Sequence, residues 1–324
     1  MKEKKFYYFR WILGLILIVI VIVCFLNRRW INDFFRGLSY SPSNMMSQIR
    51  DDLDLADKGK FIFNASLPEL NQSDDFNEKC RARNEETAVL GCYVEENIYV
   101  YNIEDKELDG IRELTTAHEL LHAVFERTSE SEKERLKPFL EKVYKDNRKI
   151  LEEDIETYDE SEKFEELYVR AGTQVKKLPE ELEKHYAEIF KDQDKVVSFY
   201  EKYISVFRRV EEELDKLTIE ISSISNEIEK KTQEYGQRLE KLNAEITDFN
   251  NCAETVGCFE SNAVFYERRN VLVLEQGTLE TMYNEINALI DNYNEKVDKY
   301  NEDVIWHDKL NDMINSNKKP EKIE

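Results

Sequence analysis

The residues best suited to chemistry lie in the stretch 115-TTAHELLHAVFER-127. The chain has four histidines, and two of them, His118 and His122, stand four apart around Glu119. A helix places residues i and i+4 on one face, one turn apart. Two imidazoles so placed can bind the same Zn²⁺ through ring nitrogens at ~2.0–2.1 Å. Glu119 then stands beside the open coordination position. Zinc lowers the pKa of a bound water toward ~7. A carboxylate within hydrogen-bond reach can take that water's proton and later pass it to a leaving amine. The H-E-x-x-H spacing therefore points to hydrolysis of a peptide bond. The bland alternative is two histidines with ordinary partners on an amphipathic helix. Leu120, Leu121, Ala123, Val124 and Phe125 make this helix largely apolar. Buried imidazole and carboxylate groups need partners there, and a metal supplies one.

A third ligand must come from elsewhere. The segment 164-FEELYVRAGTQ-174 and its approach offer Glu162, Glu165 and Glu166. Helical phase does not choose among them, because Phe164, Leu167, Tyr168 and Ala171 already fill a core face. The stretch 115-TTAHELLHAVF-125 resembles the active-site helix of the HExxH zincins. The metzincin pattern, H-E-x-x-H-x-x-G-x-x-H, is not matched. The chain is more similar to a small gluzincin, whose third ligand is a glutamate on a later helix. That resemblance implies Glu166, within E-L-x-x-x-x-G-T, although Glu165 stands where the family often has asparagine. It covers about residues 60–190, and only the H-E-x-x-H piece is specific. It also implies an upstream β-sheet packed on the active-site helix. Gluzincins resembling thermolysin stabilise the oxyanion with a downstream histidine or tyrosine. Here 182-LEKHYAEIF-190 offers His185 and Tyr186. A surface histidine and a packed tyrosine are the alternative for that pair, and His307 has no assigned role.

The elements that must position these groups can be read from pattern. The runs 60–66, 88–94 and 97–103 are β-branched and aromatic, and are expected as strands. Helices are expected over 112–127, 130–153, 160–171 and near 180–191. Ser129 and Glu132 have capping-box spacing. Pro138 should kink or restart the second helix, and Gly172 should stop the third. Beyond residue 192 the apolar positions step by three and four, as Val210, Leu214, Leu217, Ile221 and Ile224, and later as Leu279, Met282, Ile286 and Leu289. These are coiled-coil seams. The turn-like 250-NNCAETVGCFES-261 between them predicts an antiparallel hairpin over 193–306, its first arm about 55 residues or on the order of 80 Å. A parallel homodimeric coiled coil is the alternative. The fold class expected is α+β, mostly α, with a polar tail over 307–324 that is disordered from about 311.

Residues 6–27 contain the apolar run Trp11–Leu26, about 20 residues with its flank and long enough for a ~30 Å hydrocarbon core. No small-residue cleavage site closes it. It reads as an uncleaved transmembrane helix after a short cytoplasmic tail, 1–5, with a polar juxtamembrane linker over 28–58 and the zincin-like catalytic domain over 59–192. Cys24 falls in the span. The other four cysteines form two local pairs, Cys80 with Cys92 and Cys252 with Cys258, without metal spacing. Such pairs suit disulfides in an oxidising compartment. That places the ectodomain outside the cytoplasm and the N-terminus inside. The formal net charge is −22. Nucleic acid is excluded as a partner by that sign. There is no G-x-S-x-G and no glycine-rich phosphate loop.

Two readings follow. One is a membrane-anchored extracytoplasmic zinc metallopeptidase acting on a peptide or protein, with Glu119 as general base and a partner on the coiled coil. The other is a catalytically inactive zincin-like structural or adhesion protein with an interaction stalk.

Overall fold

The computed structural model describes residues 15–80, 90–155 and 160–316. The chain divides into two compact units, Met1–Val206 with Leu310–Glu324, and Phe207–Lys309.

The first described element of the first unit is an apolar helix, α1 (Leu15–Leu26). Among the described residues no single helix is long and apolar enough to cross a membrane, though α1 and the next helix together satisfy the length and composition, bent by 71°. The earlier part of the apolar run, residues 6–14, lies outside the described residues.

The segment 28–58, expected as a linker, is instead folded: α2 (Arg28–Ser39), α3 (Asn44–Asp52) and the start of α4 (Asp57–Ala65). Met46, Ile49 and Leu53 of this segment are fully buried in the main core. Ser43 caps α3 by accepting a hydrogen bond from the Met46 amide. The expected first strand, 60–66, is the body of α4. Its buried residues Gly59, Ile62 and Phe63 recur at helical spacing, with Ala65 also buried, which overrides the local β propensity of a short apolar run.

The sheet has three strands, β1 (Glu69–Asn71), β2 (Gly91–Val94) and β3 (Asn97–Tyr101), in the order β1-β3-β2. β1 runs parallel to β3, and β2 antiparallel to it. Glu95 and Glu96, with φ of 51° and 64°, form the two-residue turn between β2 and β3, the positive-φ geometry that matches hairpin twist. Between β1 and β2 lies α5 (Ser73–Lys79), and the Cys80–Cys92 disulfide ties its end to β2. Both half-cystines are buried against Phe76. Cys80→Ser with Cys92→Ser should lower stability by about 2–4 kcal/mol; equal chemical-denaturation midpoints for the oxidised wild type and the variant would contradict this.

The helix α6 (Ile111–Arg127) packs on β2, β3, α3 and α4, and on α9 (Glu160–Gln174) from the other side. Between them come α7 (Glu130–Asp146) and α8 (Arg148–Ile155). The break falls at Asn147 rather than at Pro138, which α7 carries inside its length. Gly172 does not stop α9 but lies within it. A Cβ there would sit 2.6 Å from Leu121 Cδ1 and 2.7 Å from Tyr186 Cε1, so the glycine lets α9 approach both neighbours. α10 (Glu180–Ala187) completes the core with Leu182 and Tyr186.

The far end of α6 is fixed to α2. The Arg127 guanidinium donates 2.9 Å hydrogen bonds to both carboxylate oxygens of Asp33, and donates another to Tyr93 Oη at 2.8 Å. The paired side chains are only 7% and 4% exposed. Removing one partner of a buried pair strands the other charge. Arg127→Ala should therefore cost about 3–5 kcal/mol, read as a lower unfolding midpoint, with Asp33→Ala giving a loss of similar size.

The long helices are α11 (Gln193–Glu254) and α12 (Asn262–Ile314). In the second unit they pack together and run antiparallel. Glu220 pairs with Lys296, Lys231 with Glu285, Arg238 with Glu275 and Asp248 with Arg268, so one number falls as the other rises. Leu217, Leu242, Phe249, Leu279 and Ile286 are buried along the seam. Cys252–Cys258 staples the turn. The hairpin is thus formed within one chain. The tail departs from expectation: α12 runs to Ile314, and Leu310 and Ser316 are buried. The Ser316 carbonyl accepts hydrogen bonds from Ser73 Oγ and Asn77 Nδ2 of α5. Residues 317–324 lie outside the described residues.

Candidate metal centre

α6 presents His118 and His122 from adjacent turns, with ring centroids 5.0 Å apart. Their Nε2 atoms are 3.3 Å apart. Glu166 enters from α9: its Oε1 lies 3.6 Å from His118 Nε2, and its Oε2 lies 3.5 Å from His122 Nε2. Donors bound tetrahedrally to one zinc at ~2.0–2.1 Å stand about 3.4 Å from each other. The separation of the two imidazole nitrogens is close to that value, and each histidine meets a different Glu166 oxygen at a similar distance. His118, His122 and Glu166 form a group that could hold a metal ion.

Burial sharpens the electrostatics. His122 is 2% exposed and Glu166 1%. Burial disfavours a charged His122 ring, but hydrogen bonds to Glu165 and Glu166 outweigh it and raise the ring to about 9. Burial likewise works against an ionised Glu166, yet His118, His122 and Arg170 hold its carboxyl far below the usual carboxylate range. Arg170 Nε donates to Glu166 Oε1 at 2.5 Å from one turn further along α9. A cation bound by these groups would compete with a proton on His122.

Glu165 is not a member of this trio. His122 Nδ1–H donates to its Oε1 at 2.7 Å. That bond fixes the ring and turns Nε2 toward Glu166, the role outer carboxylates play toward ligating imidazoles. Glu162 is exposed. Of the three candidates open from sequence, Glu166 is thus the one brought to both histidines.

Glu119 is 3% exposed, and its charge acts on His122. It lies against the sheet: a Cβ at Gly91 would sit 2.8 Å from Glu119 Oε1 and 2.6 Å from Thr115 Cγ2. A side chain at this position of β2 would crowd the Glu119 carboxylate. Sequence reading missed Gly91 and Arg170; a glycine inside a strand run was the available signal for the first.

His185 and Tyr186 are not brought to the cluster. His185 Nε2 bonds Tyr168 Oη at 2.9 Å, and its Nδ1 faces Glu132 at 3.3 Å. Tyr186 Oη donates to the Tyr168 carbonyl at 2.6 Å. Tyr168 stands two residues past Glu166, on the opposite side of α9. Burial lowers the His185 pKa, helped by Lys58, and raises that of Tyr186 well above its usual value. Both residues serve the core between α9 and α10. Comparison of the chain with protein-family models, curated proteins and solved structures finds no match in any of the three.

Proposed function

We propose that the chain is a membrane-anchored extracytoplasmic zinc metallopeptidase, similar to the HExxH gluzincins. The single observation that carries this is the convergence of His118 Nε2, His122 Nε2 and the Glu166 carboxylate on one point between α6 and α9. Zinc, when bound, supplies a Lewis acid that acidifies water and polarises a carbonyl. The chain's own residues do the rest. Glu119, one residue from His118 and packed on Gly91, would accept a proton from the attacking water and return it to the leaving amine. Glu165 holds the His122 ring in register. β2 is the edge of the described sheet, and its Gly91 lies against Glu119. An extended peptide adding to that edge would bring its backbone past the carboxylate. The substrate is therefore read as an extended peptide segment.

Against this stands the scaffold reading, a catalytically inactive zincin-like structural or adhesion protein with the hairpin as a stalk. The placement of His185 and Tyr186 away from the cluster favours it, because it leaves the oxyanion without either expected donor. Metal analysis of the purified full chain, followed by peptide cleavage with and without added zinc, separates the two. One zinc per chain with chelator-sensitive cleavage supports the peptidase. Stoichiometric zinc without cleavage of any peptide supports the scaffold.

A further inference from the structure

The helix α2 wears its faces inside out. Its sequence, RRWINDFFRGLS, turns Arg29, Asp33 and Arg36 toward the folded head. Arg29 pairs with Glu126 at 2.9 Å. Asp33 is buried by Arg127. Arg36 donates to the carbonyls of Ala65 and Glu96 and to Asn97 Oδ1 at 2.8–2.9 Å. The apolar residues face the other way: Trp30 is 58% exposed, Phe34 44%, Phe35 63% and Leu38 72%. Phe61 of α4 stacks on Trp30 at 6.1 Å and covers only part of it. A helix on a water-facing surface does the reverse, with its apolar stripe inward.

We propose that the Trp30–Phe34–Phe35–Leu38 face of α2 lies in the headgroup–acyl boundary of a lipid bilayer and seats the head on the membrane surface. The occupant follows from continuity. α1, which enters α2 directly, exposes apolar side chains on all sides, from Leu15 to Leu26. The axes bend by 71° between them. A helix along the bilayer normal followed by such a bend leaves the next one close to the membrane plane. Aromatic residues favour that boundary, and an amphipathic helix lying in it buries its apolar face about 5–10 Å deep. Arg28 at the bend is placed for the headgroups.

The consequence bears on substrate. α2 grips the last turn of α6, and His122 and His118 lie five and nine residues back along that helix, roughly 8–14 Å at 1.5 Å per residue. The metal centre is held near the lipid, where it meets peptide segments close to the bilayer rather than peptides free in bulk water. This rests on the membrane-anchor reading.

The test uses the full chain in phosphatidylcholine vesicles. Trp11→Phe with Trp306→Phe leaves Trp30 as the sole tryptophan. Lipids brominated near the top of the acyl chain should quench its emission strongly, and lipids brominated near the chain end should quench it less. Adding Phe35→Asn and Leu38→Asn, both at exposed positions, should weaken that quenching. A companion chain, Trp30→Phe with Trp306→Phe, reports on Trp11 and so on the anchor itself. Quenched Trp11 with unquenched Trp30 would overturn the interfacial seat and leave the anchor standing. Blue-shifted but unquenched Trp30 would give this face to a protein neighbour and overturn the proposal too, as would quenching indifferent to the asparagines. If neither tryptophan is quenched and the chain does not float with the vesicles, the anchor reading fails and the seat with it.

Discussion

Glu119→Gln should retain one zinc per chain and lose peptide hydrolysis by ~10²–10⁴-fold, the usual contribution of a general base. The side chain is not among the three donors that converge, so an amide of the same shape leaves His118, His122 and Glu166 in place. It cannot accept the proton of water at neutral pH. Gly91 packs against the carboxylate, and glutamine fills the same volume, so the helix should stay seated on the sheet. Metal content and cleavage rate are measured on the same preparation. Unchanged cleavage would rule out the assigned role. Loss of zinc together with activity would make Glu119 a support of the site rather than its base.

The second large effect concerns the metal. His122→Ala and Glu166→Ala should each abolish stoichiometric zinc binding, while Glu165→Gln should weaken it by about 10–100-fold through loss of the outer carboxylate. Glu162→Gln should change nothing, since Glu162 is exposed. Titration with zinc against a competing chelator resolves this order. Equal loss in Glu165→Gln and Glu166→Ala would mean that both carboxylates reach the cation. Full zinc content in Glu166→Ala would displace the third-ligand assignment altogether.

The two histidines and their helix were legible because one five-residue spacing encodes both ligand geometry and element type. The hairpin was legible because its apolar period persists over many turns, and the cysteine pairs because each closes a short loop. Glu166 needed the resemblance. α9 is buried against α6, α7 and α8, so no single face of it reads as the core and phase could not rank Glu165 against Glu166. The segment 28–58 misled for a physical reason: α2 buries Asp33 and leaves Phe35 and Leu38 exposed, the opposite of what composition suggests for a packed helix. In α4, the run 60–66 was too short for period two and period three-and-a-half to be told apart. His185 and Tyr186 looked functional by type, but a buried histidine bonded to tyrosine and glutamate is satisfied without a metal.

The seat of Ser316 on α5 sets an order of assembly. Ser73 and Ser316 are 243 residues apart, so this contact closes a long loop. The entropy of closing it grows only slowly with length, but synthesis imposes a sequence in time. α5 and the Cys80–Cys92 loop leave the ribosome long before their last partner exists. The hairpin, whose pairings at the Cys252–Cys258 turn are local, can zip from its tip as soon as α12 is made. The head would thus remain incomplete on its α5 side until Leu310–Ser316 are translated, and a chain cut before Leu310 would remove the carbonyl to which Ser73 and Asn77 donate.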